Sequence, residues 1–178
     1  MGGDAEVMAL HTGGYSSLPL ALEYLENVKV CVMGTGRFMP LLNAYTFKEL
    51  RVIEKKFEPE DITRRLKGVD VVLGGYGPGE QKEVAIAASE LGVPFITYPL
   101  ITTILPDGIS FEEVGFPGSA TSRGDTIAEI LIRTVQVIEL IKLFTGIGEL
   151  VFPPEALELV IDPTTRDFDV RKIRVTVR

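Results

Sequence analysis

The chain has no tryptophan, a single cysteine and a single histidine, and these scarcities remove whole classes of chemistry. One cysteine, Cys31, makes neither an internal disulfide nor a structural zinc site, so the redox reading is cytoplasmic. Set in the apolar run Val28 to Met33 (VKVCVM), it reads as a small core residue, because a nucleophilic thiolate needs exposure and nearby positive charge. Amides number four, Asn27, Asn43, Gln81 and Gln136, and scarcity of these heat-labile side chains fits a thermophilic source. Lys and Arg total 18 against 25 Asp and Glu, a net charge of -7, which excludes a general electrostatic grip on nucleic acid or anionic lipid. No long apolar run is free of polar residues. The stretch Ile127 to Phe144 is broken by Glu129, Arg133, Gln136, Glu139 and Lys142, and each charge costs about 3 kcal/mol at a bilayer centre. It reads as a buried soluble helix. The opening Met1-Gly2-Gly3-Asp4-Ala5-Glu6 has no basic region, so neither export nor anchoring is expected.

What is present is an ordinary globular composition: 178 residues, 46% apolar and 24% charged, the size of one domain spanning 1–178. Glu6 to Leu10 reads as a buried strand entering the turn pair Gly13-Gly14. A helix through LPLALEYLE follows, capped by Ser16 or Ser17 with Pro19 in its first turn. Strands are expected at Val28 to Met33, Leu50 to Glu54, Asp70 to Leu73 and Val93 to Tyr98. Helices are expected at Pro59 to Leu66 and Glu80 to Leu91, stopped by Gly68 and Gly92. This alternation implies parallel strands with right-handed crossovers, hence an α/β, Rossmann-like three-layer fold with a mostly parallel sheet. Thr126 and Glu129 open a long helix that Gly146 ends. Only a narrow polar stripe interrupts its apolar surface, so it is expected to pack on the sheet and on something else, a dimer partner being one candidate. The tail LELVIDPTTRDFDVRKIRV alternates on both sides of Pro163, a β-hairpin signal.

In open parallel sheets ligands bind beyond the carboxyl ends of the strands, which directs attention to four loops. His11-Thr12-Gly13-Gly14-Tyr15-Ser16-Ser17 combines backbone freedom with a helix N-terminus that favours a phosphate; its bland reading is a serine-capped turn. His11 is the only histidine and the best-placed titrating group. Gly34-Thr35-Gly36-Arg37-Phe38-Met39 is half a dinucleotide fingerprint, with Glu54 following, but it lacks the third glycine. Gly74-Gly75-Tyr76-Gly77-Pro78-Gly79 allows close ligand approach and offers only the Tyr76 hydroxyl. Gly118 to Asp125 gathers hydroxyls and Arg123, as a phosphate site or simply as helix caps. Glu112 and Glu113 suit a general base or a cation, and equally a solvated loop. No Ser/His/Asp signature, Walker motif or metal-ligand spacing occurs.

Three segments together resemble the ThiF/MoeB/HesA superfamily, the ubiquitin-activating-enzyme-like adenylyltransferases: TGGYSSLPLALEYL, VDVVLGGYGPGEQKEVAIAASELGVPFI, and TVQVIELIKLFTGIGE with the hairpin after it. The resemblance runs from Glu6 to the C-terminus. It implies ATP as cofactor, a homodimer, and transfer of AMP to a carboxylate of a sulfur-carrier or ubiquitin-like protein or a small molecule; the chain departs from the family in having no zinc cysteine pairs, so no zinc is expected. The candidate nucleotide-binding residues are His11, Thr12, Gly13, Gly14, Tyr15, Ser16, Ser17, Gly34, Asn43, Gly75, Tyr76, Gly77 and Lys82; of these the resemblance carries over Gly13, Gly14, Ser16, Asn43 and Lys82, and the others are read from the loops themselves. The chain departs from the family pattern at several charges. Met33-Gly34 stands for the acidic ribose ligand, Asn43-Ala44 for an Asn-Arg pair, and Gly77 for the metal-binding aspartate, while the phosphate lysine and the thioester cysteine have no equivalent. Each missing charge contact lowers such a rate by about 100-fold to 1,000-fold. Relocated residues such as Arg37, Lys55 or Arg123, or a partner chain, are the available replacements. Three readings therefore stand: an adenylating enzyme, a catalytically degenerate relative that binds a ligand or an active homologous subunit, and an NAD-type module using Gly34, Gly36 and Glu54.

Overall fold

The computed structural model describes residues 23–34, 39–53, 57–116, 126–162, 164–165 and 167–178. The expected opening strand, the glycine turn at 11–17 and most of the helix after it lie outside these. A 3-10 turn at Leu25–Asn27 buries Leu25 and delivers the chain to β1, Lys29–Met33. The rest of the sheet is β2 at Glu49–Ile53, β3 at Val71–Leu73, β4 at Phe95–Ile96 and β5 at Thr103–Ile104. The order is β2-β1-β3-β4-β5. β1 pairs in parallel with both β2 and β3, β3 in parallel with β4, and only β5 is antiparallel.

Four helices flank the sheet among the described residues: α1 at Met39–Asn43, α2 at Pro59–Leu66, α3 at Pro78–Glu90 and α4 at Thr126–Thr145. The period-2 alternation of strand side chains decides which helix meets which face. Cys31 and Met33 of β1, Val72 of β3 and Phe95 of β4 pack with Ile62 and Leu66 of α2 and Val84 and Ala88 of α3. Val30 and Val32, Val71 and Leu73, and Ile96 point the other way, onto Leu42 of α1 and Ile132, Val137 and Leu140 of α4. Sheet and helices thus form the three layers that the sequence implies, with both faces covered, as parallel sheets require. At the β2 edge, Arg51 Nη1 donates to the carbonyls of Arg65 and Lys67 at 2.8 Å each. Those are carbonyls at the C-terminal end of α2 that have no partner within the helix.

The chain closes with the expected hairpin, β7 at Glu155–Ile161 against β8 at Phe168–Arg174. Asp162 Oδ1 accepts the N–H groups of Thr164 and Thr165 at 2.7 and 3.0 Å in its turn, and these bonds hold the carboxylate below its ordinary value. Ile101 and Leu157 exchange backbone bonds of 2.9 and 2.7 Å, which dock the hairpin on the domain. A second small pairing joins β6, Val114–Gly115, to β9, Thr176–Val177.

Three expectations are corrected. The strand expected over Val93 to Tyr98 is regular only at Phe95–Ile96, because prolines at 94 and 99 bracket it and donate nothing to a ladder. Helix α1 is a single short turn that no apolar period announces. The polar stripe of α4 faces inward: Arg133, Gln136 and Glu139 are buried, whereas Ile127, Ile130 and Ile138 are exposed.

Candidate functional site

β1 lies between β2 and β3, and chain order reverses around it. The topological switch point is therefore at β1 and β3, and a ligand crevice is expected beyond their carboxyl ends. Gly34 leaves β1 there and Gly74 leaves β3. Among the described residues, the loop that opens at the switch point is thus the one beginning at Gly34.

Glycine is required at two places in this crevice. Gly34 sits at φ +99°, a region L side chains rarely adopt, and its N–H donates to the Ile53 carbonyl at 2.9 Å. A side chain on Gly75 would overlap the Met33 carbonyl and meet the Arg133 guanidinium, so β3's exit lies directly against the end of β1. Between these glycines Tyr76 is held at φ 61°. For a residue with a Cβ the left-handed region costs about 1–2 kcal/mol. The half-buried ring packs on the cluster containing Met33 and Ile53, and its hydroxyl donates to the Ile53 carbonyl at 3.4 Å. Helix α3 then starts, with Gly77 as its N-cap residue in extended backbone and Pro78 at the first position. Its positive N-terminal end adjoins the same crevice.

The floor is built by α4, from residues of its polar stripe. Arg133 is 4% exposed; its Nη1 donates to the Gly74 carbonyl and, at 2.8 Å, to Gln136 Oε1, and its Nη2 to the Met33 carbonyl at 3.4 Å. Gln136 Nε2 donates to the carbonyls of Gly74 and Ile96 at 2.9 Å each. The guanidinium lies 4.1 Å from the centroid of the Tyr98 ring. Burial pulls Arg133 below its ordinary value, opposed by Tyr98, Glu129 and Tyr76, and an arginine remains charged throughout. A fixed positive charge therefore lies under the carboxyl ends of β1 and β3. Gln81, buried on α3, donates to the Tyr98 carbonyl at 2.5 Å and accepts its N–H at 3.0 Å, fixing the exit of β4. The signal for the α4 stripe was the spacing: 133, 136 and 139 lie three apart and share one helix face.

Of the sequence-derived site residues, the structure gathers Gly34, Gly75, Tyr76 and Gly77 in the crevice. Asn43 is exposed at the end of α1. Lys82 is exposed and paired with Glu112 at 2.7 Å. His11 through Ser17, and Arg37, Lys55 and Arg123, lie outside the described residues. Glu113 accepts the Ser110 N–H and hydroxyl at 2.8 Å, which holds its carboxyl below the ordinary value and makes it a turn cap. Cys31 is fully buried, and burial pushes its thiol up to about 11. Among the described residues no cluster of three or more His, Cys, Asp or Glu is placed to hold a metal, and no helix is long and apolar enough to cross a membrane.

No family model matches the chain, and no curated protein does. Solved structures do. PaaA is 13% identical with a TM-score of 0.59, the match covering 90% of this chain and 68% of PaaA. Escherichia coli MccB solved with ATP is 12% identical with a TM-score of 0.60, over 94% of this chain and 70% of MccB. MccB solved with AMPCPP and MccA is 10% identical with a TM-score of 0.61, over the same shares. Likeness at this identity defines the architecture: the chain has a ThiF/MoeB-like fold.

Proposed function

We propose that the chain binds ATP beyond the carboxyl ends of β1 and β3 and adenylates a carboxylate, borne by a peptide or carrier-protein C-terminus or by a small molecule. The observation that carries this reading is the buried guanidinium of Arg133 under a glycine-rich switch point. The start of α3 and the fixed cation both favour an anion beyond the strand ends. MccB, which has this fold, was solved with ATP and with AMPCPP. In the reaction proposed, a carboxylate oxygen attacks the α-phosphorus, the bond to the β-phosphate oxygen breaks, and pyrophosphate leaves. The described residues contribute to it by shaping the crevice, excluding water from its floor and holding positive potential there. The opening turn His11 to Ser17 belongs to the proposed site as a further phosphate contact, and Asn43 and Lys82 as outlying ones.

The catalytically degenerate alternative is favoured by a specific observation: the crevice side of β3's exit is glycine at 74, 75 and 77, where the fold's adenylating chemistry calls for an acid. Two measurements separate the readings. Calorimetry with AMPCPP tests binding, and carboxylate-dependent ATP/pyrophosphate exchange tests chemistry. Binding with exchange supports the enzyme, binding without exchange the degenerate relative, and absence of binding refutes the enzyme and leaves the degenerate relative only as a partner subunit. We also propose a homodimer, with the exposed Ile127, Ile130 and Ile138 of α4 at the contact; sedimentation equilibrium of the I130D/I138D variant against the unaltered chain tests it.

A further inference from the structure

We propose that Tyr76 is the base-stacking platform of the crevice and that it selects purine nucleotides; this rests on the nucleotide reading above. The backbone of Tyr76 is held at φ 61°, a conformation that glycine adopts freely and an L side chain does not. Its sequence neighbours at 75 and 77 are both glycine, so a third glycine would have relieved the strain without altering the character of the loop. An aromatic ring is kept there instead, and its surroundings fix where it lies. A methyl group placed on Gly34 would sit 3.5 Å from the ring. The hydroxyl reaches the last carbonyl of β2. From its root after β3 the ring thus spans the end of β1 to the end of β2, across the side of the crevice opposite β4. Packing against the core cluster fixes its orientation before any ligand arrives, so little rotamer freedom is lost on binding. Every base has a π face, and the larger purine ring system overlaps a phenol ring more than a pyrimidine does.

The test uses the full chain with ATP, GTP and CTP, and with tripolyphosphate as a probe that carries phosphates and no base. Tyr76→Phe is expected to bind ATP within about 2-fold of the unaltered chain, because the ring remains. Tyr76→Gly, whose relief of backbone strain partly offsets the ring packing it gives up, is expected to weaken ATP about 10-fold to 100-fold while leaving tripolyphosphate unchanged. Its preference for ATP and GTP over CTP should collapse. Tyr76→Trp creates the only tryptophan in the chain, and its emission should be quenched by ATP and not by tripolyphosphate. If Tyr76→Gly binds ATP as tightly as the unaltered chain or more tightly, or loses tripolyphosphate in equal measure, the platform is refuted. An unaltered chain that binds tripolyphosphate with no gain from a base also refutes it and leaves the anion site standing. One that binds neither refutes the nucleotide reading and this inference together.

Discussion

Replacing Arg133 by methionine should be less damaging than replacing Gln136 by methionine, although arginine carries the charge. Arg133→Met removes a guanidinium that donates to Gly74, Gln136 and Met33. It leaves Gly74 with its second donor, Gln136 Nε2, while Gln136 Oε1 loses the donor 2.8 Å away, at about 1–3 kcal/mol. Against that, a buried cation disappears, and its desolvation penalty of several kcal/mol is relieved. The two effects offset, and with the guanidinium's contact on the Tyr98 ring also lost the net loss is expected at no more than about 2 kcal/mol, a fall in Tm of at most about 4–8 °C for a chain of this size. Gln136→Met does the opposite. It keeps the guanidinium buried with one acceptor fewer, and it strips donors from the carbonyls of Gly74, Ile96 and Thr97. Ile96 retains the Gly74 N–H at 2.7 Å, so the cost is concentrated on the cation and Thr97, at about 3–5 kcal/mol. Urea unfolding followed by far-ultraviolet circular dichroism without ligand measures both. If Arg133→Met proves the more destabilising by more than about 1 kcal/mol, the charge is stabilising in its own right and the reasoning fails.

Other consequences are equally open to measurement. Glu139 is fully buried, takes the Lys142 ammonium at 2.6 Å and accepts the Val151 N–H at 3.1 Å, so Glu139→Ala should cost about 2–4 kcal/mol by orphaning a buried N–H, and Glu139→Gln less than half of that. The thiol of Cys31 is raised from 9.0 to about 11, so the folded state holds its proton more tightly than the unfolded one. That contribution, about 3 kcal/mol, is fully present below pH 9 and lost as pH rises through 11; Cys31→Ala should flatten the alkaline limb of the stability profile, and an unchanged slope would refute the assignment. In native protein the same thiol should react with a disulfide reagent at pH 8 only as fast as the chain opens. Gly75→Ala should cost at least about 3 kcal/mol or force β3's exit away from β1, seen as a cooperative unfolding midpoint displaced to lower urea.

Much of the architecture was legible because periodicity is a local property. The alternation in VKVCVM, the helical spacing of α2 through α4 and the paired alternating runs of the hairpin each report their own element. What the pattern does not carry is sheet position. A five-residue apolar strand buried on both faces reads the same at the centre as one place out, so the position of β1 at the switch point was not legible. Crevice residues fared according to their chemistry. Gly34, Gly75, Tyr76 and Gly77 were found because glycine clusters mark strand exits. Arg133 and Gln136 were passed over because their partners are backbone carbonyls of β1, β3 and β4, up to 100 residues away in sequence, and no side-chain motif encodes a carbonyl.

The inward stripe of α4 and the anion reading of the crevice are one physical argument. Carbonyl oxygens at the carboxyl end of a sheet present negative potential to the space where a phosphate would lie, and parallel strands cannot pair them beyond their last residues. A helix apolar on its sheet-facing side would leave the Gly74 and Met33 carbonyls to water, and water beneath the crevice floor would screen any ligand charge. Placing a donor-only guanidinium and an amide on that face satisfies the oxygens from within the core, and the charge that does so remains in the low-dielectric floor. Ile132, Val137 and Leu140 still pack on the sheet, and the opposite side of α4 carries the exposed Ile127, Ile130 and Ile138. The cationic floor under the switch point is thus the work of two of the three polar residues on the inward side of α4, Arg133 and Gln136, while the third, Glu139, holds Lys142 and the Val151 N–H.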